Sequence, residues 1–187
     1  MRGRTMVIGA VIAGVVASAV WAGAADANGG HGGVEFAFGS ATNRFAEVGG
    51  PNSLAVAAYR RSDGTVVGYA RGSGELAPGA SFQVEGEVTC LRVEPKLEGG
   101  GTRASIKYRF RRSTGSAAQP QGGGVEVFIE DNGRPSHGHP VDGNGTGPPM
   151  DPVTFEATNP HSCDDPNVAG QPYNPVDSGD YTLGDGD

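Results

Sequence analysis

From Asn28 onward, no window of 11 residues carries apolar side chains at i, i+3, i+4 and i+7 without a Gly or Pro between them. This rules out an amphipathic helix of useful length, because an interior Gly costs about 1 kcal/mol and a Pro about 3 kcal/mol relative to Ala. Gly and Pro supply 42 of the 160 residues from Asn28 to Asp187, and Leu, Ile, Val and Phe together supply 28. Spread evenly, that balance would suit a disordered chain. The distribution is uneven: 22 of the 28 large apolar residues fall between Val34 and Glu130. A β-rich core is expected there.

Period-2 alternation marks the strands. From Thr102 to Arg112, Ala104, Ile106, Tyr108 and Phe110 fall on one face and Arg103, Ser105, Lys107, Arg109 and Arg111 on the other, the pattern of a half-buried antiparallel strand. Ser81–Val93 places Phe82, Val84, Val88 and Cys90 on one face until Leu91 and Val93 break the phase, which a bulge near Cys90 would explain. Leu54–Arg61 and Thr65–Arg71 flank Ser62-Asp63-Gly64 and predict a hairpin. Val34–Phe38 and Val125–Glu130 add two strands, with Val153–Thr158 and Tyr181–Leu183 as shorter candidates. Negligible helix is expected. The fold class read from this is all-β: a small antiparallel barrel, with a β-sandwich as the alternative, because closing the sheet hides the edges of so short a set of strands.

The two parts of the chain differ in charge. Residues 34–130 hold 11 basic and 10 acidic groups, whereas residues 131–187 hold one basic residue, ten acidic residues and nine prolines. Six large apolar residues cannot build a second core. Residues 28–187 are therefore expected to form a single β-rich domain, a 34–130 strand core followed by a loop-rich 131–187 segment. Residues 1–27 read as a secretory signal peptide: Arg2 and Arg4 precede an apolar run, and two A-x-A sites end at Ala24 and Ala27. A secreted, extracellular product follows, with no membrane association after cleavage. The chain's net charge of −7 argues against nucleic acid as a partner.

Cys90 and Cys163 are the only cysteines. In an exported chain an even count reads as one disulfide, with free buried thiols or a metal pair as alternatives. That bond would tie the proline-rich segment to a core strand.

Residues Val84 to Val93 (VEGEVTCLRV), Ile129 to Gly133 (IEDNG), Pro148-Pro149 with Asp151, Cys163, and Gly179 to Leu183 (GDYTL) together resemble a group of small secreted actinobacterial proteins of unassigned function. The resemblance implies an exported β-rich domain and no activity. The stretch from Arg134 to Gly147 departs from that pattern.

Candidate chemistry clusters in that departure. His137, His139 and Asp142, with His161 further on, offer imidazole and carboxylate donors for a divalent metal, the only cofactor the sequence suggests. Asp142 to Gly147 imitates the first half of a calcium loop, but Val153 stands where the bidentate carboxylate belongs, so a turn-rich loop is expected. Glu85/Glu87 and Glu126/Glu130 could flank a sugar, but as outward strand positions they read as surface residues. Arg103, Lys107, Arg109 and Arg111 form a basic face, either paired with Glu85, Glu87, Glu126 or the acidic segment, or free for an anionic partner. No G-x-S-x-G elbow is present. The expected function is a non-enzymatic exported binding or interaction module at or beyond the cell envelope, for a cell-wall polymer or small ligand. A metal-dependent secreted protein or enzyme using the His137/His139/His161 loops is the alternative.

Overall fold

The structure, a computed structural model, describes residues 34–44, 50–133, 141–168 and 170–185. The expected signal peptide and His137 and His139 lie outside these residues. The fold is all-β. Nine strands, β1 (Glu35–Arg44), β2 (Pro51–Arg60), β3 (Val66–Glu75), β4 (Ser81–Pro95), β5 (Thr102–Thr114), β6 (Gly124–Asp131), β7 (Gly143–Thr146), β8 (Asn174–Pro175) and β9 (Ser178–Asp185), form one antiparallel sheet. Its order is β8-β7-β6-β5-β4-β3-β2-β1-β9, so each of the first seven strands lies beside its chain neighbours.

The sheet curls into an open, barrel-like half-barrel, with no ladder joining its end strands among the described residues, around side chains that the period-2 pattern points inward. Ala104, Ile106, Tyr108 and Phe110 of β5 meet Val84, Val88, Leu91 and Val93 of β4, Val56 of β2, and Tyr181 and Leu183 of β9. The Tyr108 and Phe110 rings pack edge to face, centroids 5.6 Å apart. Burial pushes the Tyr108 hydroxyl far above its ordinary range, so it stays neutral. Among the described residues, two adjoining hollows of about 50 Å³ each lie beside Tyr108 and Phe82. Pockets for drug-sized ligands run to roughly 300–1,000 Å³.

The expected hairpin is present. The Arg61 N–H donates to the Thr65 carbonyl at 2.8 Å, the Thr65 N–H to the Asp63 carboxylate at 2.9 Å, and Gly64 takes φ 82°, which a side chain would resist. The slip in β4 is a bulge at Thr89: Val88 pairs with Tyr108 but Cys90 pairs with Lys107. Cys90 therefore sits with Lys107 on the outer face, not with Val88 as the alternation implied, while Leu91 and Val93 take over the interior. A second slip opposite Gly86 leaves Arg111 unpaired in the ladder.

Two segments depart from expectation. Val153–Thr158 is not a strand: Val153 to Ala157 belong to a short helix, α1 (Pro152–Ala157), and Thr158 is its C-cap. Asp151 caps it, its carboxylate accepting from the Val153 and Thr154 N–H groups, and Pro152 occupies the first turn, where its missing N–H costs nothing. Those two start signals outweigh the apolar alternation of Val153 and Phe155, of which only Phe155 is buried. Gly143–Thr146, expected as a turn-rich loop, is strand β7. Its small residues let residues 172–174 cross close by; a Cβ on Gly145 would fall 1.7 Å from the Pro172 carbonyl oxygen.

At the seam, β9 pairs with β1 on one side only. On its other side the Tyr181 N–H donates to the Asp142 carboxylate at 2.8 Å and the Leu183 N–H to the Asp131 carboxylate at 3.0 Å. Asp142 also accepts the Asn132 N–H at 3.0 Å. Two side chains stand in here for a ladder. Inside the seam, Asn144 donates to the Tyr181 hydroxyl at 2.7 Å, which donates to the Leu54 carbonyl at 3.1 Å.

Candidate binding face

The outside of the barrel divides into two faces. Over β4–β7 the C-terminal segment, residues 147–168 and 170–173, lies as a strap. Cys90 and Cys163 form a disulfide, Cα atoms 5.7 Å apart, joining strap to sheet across 73 positions of sequence. Beneath the strap Lys107 is only 3% exposed. Its ammonium donates to the Thr158 and Ser162 carbonyls at 3.1 and 2.7 Å and lies 3.7 Å from the Glu126 carboxylate. Glu126 accepts the Asp164 N–H at 2.8 Å, and Ser105 donates to the Asp164 carbonyl at 2.5 Å. Glu126 is thus buried, not a surface residue, and loss of hydration pushes its carboxyl above the usual range despite Lys107 and the Asp164 N–H. Phe155 of α1 fits over Gly124, where a Cβ would come within 2.4 Å of the ring.

The expected basic face is occupied by its own chain. Arg103 pairs with Glu130 and stacks on Tyr173 with its guanidinium 4.5 Å from the ring centre. Arg109 pairs with Glu156 and lies over Phe155, and Arg111 pairs with Glu87. A cleft of about 460 Å³ between strap and sheet is floored by Lys107, Glu126 and Phe128.

The metal-site candidates that are described do not come together. Both oxygens of Asp142 accept backbone N–H groups at the seam, while the exposed His161 lies over the β4 bulge, Nδ1 3.3 Å from the Thr89 carbonyl. Among the described residues no three or more His, Cys, Asp or Glu side chains are placed to hold an ion.

The second face, the outside of β9-β1-β2-β3, carries no strap among the described residues. The register builds it in rows across the strands. One row is Gly184, Phe36, Tyr59 and Val67; the next is Thr182, Phe38, Ala57 and Tyr69. Phe38, Tyr59 and Tyr69 stay 43%, 36% and 46% exposed, and the Phe36 and Phe38 rings lie 5.6 Å apart. Next to these rings runs a trough of about 390 Å³ lined by Ser40, Thr42, Ser53, Arg71, Ser73 and Ser178. Thr42 and Ser178 share a hydrogen bond of 2.7 Å, as do Ser53 and Ser73. The Phe38/Tyr69 rows were missed as a site in the sequence, where their signal is that β1 and β2 carry apolar residues on both faces (Phe36, Ala37, Phe38; Ala57, Ala58, Tyr59).

The chain matches no established protein family, no curated protein and no solved structure. Among the described residues no helix is long and apolar enough to cross a membrane.

Proposed function

We propose that the protein is an exported, non-enzymatic binding module acting at or beyond the cell envelope, and that the bare outer face of β9-β1-β2-β3 is its recognition surface. The observation that carries this is the exposure of Phe38, Tyr59 and Tyr69 in adjoining rows on a sheet whose other outer face is crossed by the disulfide-tied strap. Clustered exposed rings mark interaction surfaces, because a rigid aromatic covers area at little entropic cost. The disulfide suits an oxidising compartment, and the resemblance to small secreted actinobacterial proteins supports export.

Co-sedimentation of the tag-free, disulfide-intact protein with isolated cell envelopes tests the reading. The double variant Phe38→Ser/Tyr69→Ser should stay folded, with unchanged circular dichroism, and lose at least tenfold in envelope affinity. Equal sedimentation of variant and wild type would defeat it. Export itself is checked by the N-terminus of the protein recovered from culture medium, which should begin at Ala25 or Asn28.

A further inference from the structure

We infer that the bare face takes an uncharged polysaccharide, its sugar rings lying on the Phe38/Tyr69 rows and its hydroxyls entering the trough; this rests on the recognition surface proposed above. Three observations select the occupant. First, three of the four strands under the face are paired on both sides, β1 with β2 and β9, β2 with β1 and β3, β3 with β2 and β4, and on the outer edge of the fourth, β9, the Tyr181 and Leu183 N–H groups are already held by the Asp142 and Asp131 carboxylates. A peptide that binds by adding a strand needs a free row of backbone donors and acceptors; β1, β2 and β3 offer none, and two donors on the edge of β9 are taken by side chains. A partner here must bring hydrogen-bonding groups on its own surface.

Second, charges of both signs are interspersed around the face: Arg111 and Arg112 pair with Glu87 and Glu85 across strands, Arg44 pairs with Asp177, and Arg71 lies opposite Glu85 in the ladder. With neither sign in large excess among these groups, neither a polyanion nor a polycation is strongly drawn to the face. Third, the trough is lined by hydroxyls with capacity to spare. In each hydrogen-bonded pair, Thr42 with Ser178 and Ser53 with Ser73, only one of the two protons is used. Each pair therefore keeps one donor and several acceptor lone pairs. An apolar platform beside a trough of hydroxyls and one guanidinium is the complement of a sugar chain, whose rings are apolar on their C–H faces and polar at their rims.

The test uses the full mature protein and envelopes oxidised with periodate, which cleaves vicinal diols and leaves peptide bonds intact. The expected result is a loss of at least tenfold in binding to oxidised envelopes, insensitivity to 0.5 M salt on the order of the Debye-screening range, and retardation of the wild type in gels containing a soluble neutral polysaccharide from a panel of β-glucan, mannan and arabinogalactan. Ser53→Val should weaken that retardation about threefold without unfolding the protein, and Tyr69→Ala about tenfold. Undiminished binding to periodate-treated envelopes that still requires Phe38 and Tyr69 overturns the polysaccharide while leaving the recognition surface standing. Binding abolished by salt points to a polyion and overturns it too. A Tyr69-dependent dimer in sedimentation, with no envelope binding, assigns the face to a second copy and overturns both readings.

Discussion

The two outer faces of this barrel invert the usual placement of polar and apolar groups. Under the strap, Ser105, Lys107 and Glu126 are buried; on the bare face, Phe38, Tyr59 and Tyr69 are exposed. The difference lies in what each group meets. A strap built of loop brings backbone carbonyls and N–H groups that hydrophobic side chains could not satisfy, so the strand beneath it must present matching donors and acceptors. Lys107 answers two carbonyls, Glu126 one N–H and Ser105 one carbonyl. Nothing in the described chain makes such a demand on β1–β3, and their rings remain in water.

If that contrast is right, the covered face should be costly to disturb and the bare face cheap. The largest effect is expected from removing the disulfide. Cys90→Ser/Cys163→Ser frees a loop of 73 positions and should lower stability by about 4 kcal/mol in the chain-entropy account, read from denaturant unfolding. Next comes Lys107→Ala, which strands Glu126 and the Thr158 and Ser162 carbonyls; a loss of about 3 kcal/mol is expected. The raised Glu126 carboxyl eases this by taking up a proton, so the loss should shrink at low pH.

The seam where the two faces meet gives a smaller, pH-dependent effect. Burial, helped by neighbouring Asp131 and Asp180, pushes the Asp142 carboxyl up to about 6 against the pull of two N–H donors. The folded chain thus holds this proton more tightly than the unfolded one. The stabilisation is fully present below the ordinary value of 3.8 and is lost as pH rises through about 6. The melting temperature should therefore climb between about pH 7.5 and 5.5, and Asp142→Asn should remove most of that slope. The smallest effect belongs to the bare face: Tyr69→Ser should change stability by no more than about 0.5 kcal/mol. A loss as large as that of Lys107→Ala would mean the rings are structural after all, and would collapse the distinction between the faces.

Much of the fold was legible because barrel strands repeat a two-residue rule that a single sequence displays. Ile106, Tyr108 and Phe110 announce their face, Asp63-Gly64 announces its turn, and the phase break at Leu91 announces a bulge. The helix was hidden because its capping Asp151-Pro152 pair competes with an apolar alternation of only two residues. The candidate face was hidden for a different reason. Alternation tells which residues share a side of a strand, but whether a side is covered depends on where a strap some hundred residues later comes to rest. Lys107 and Tyr69 occupy equivalent outward positions, and only the path of residues 147–168 and 170–173 makes one buried and the other free.

The carboxylates that join β9 to β6 and β7 have a dynamic consequence. A ladder opens one rung at a time, each rung holding its neighbours, but two isolated side-chain acceptors can swing away independently. The barrel thus has a built-in parting line. The Tyr181 and Leu183 amides, held by Asp142 and Asp131, should exchange with solvent deuterons sooner than the amides of Thr182 and Asp180, which face β1. Opening along that line would release β9 as a flap hinged on β1, carrying Ser178 and Asp180 with it, so the edge of the bare face would be the first part of the molecule to move.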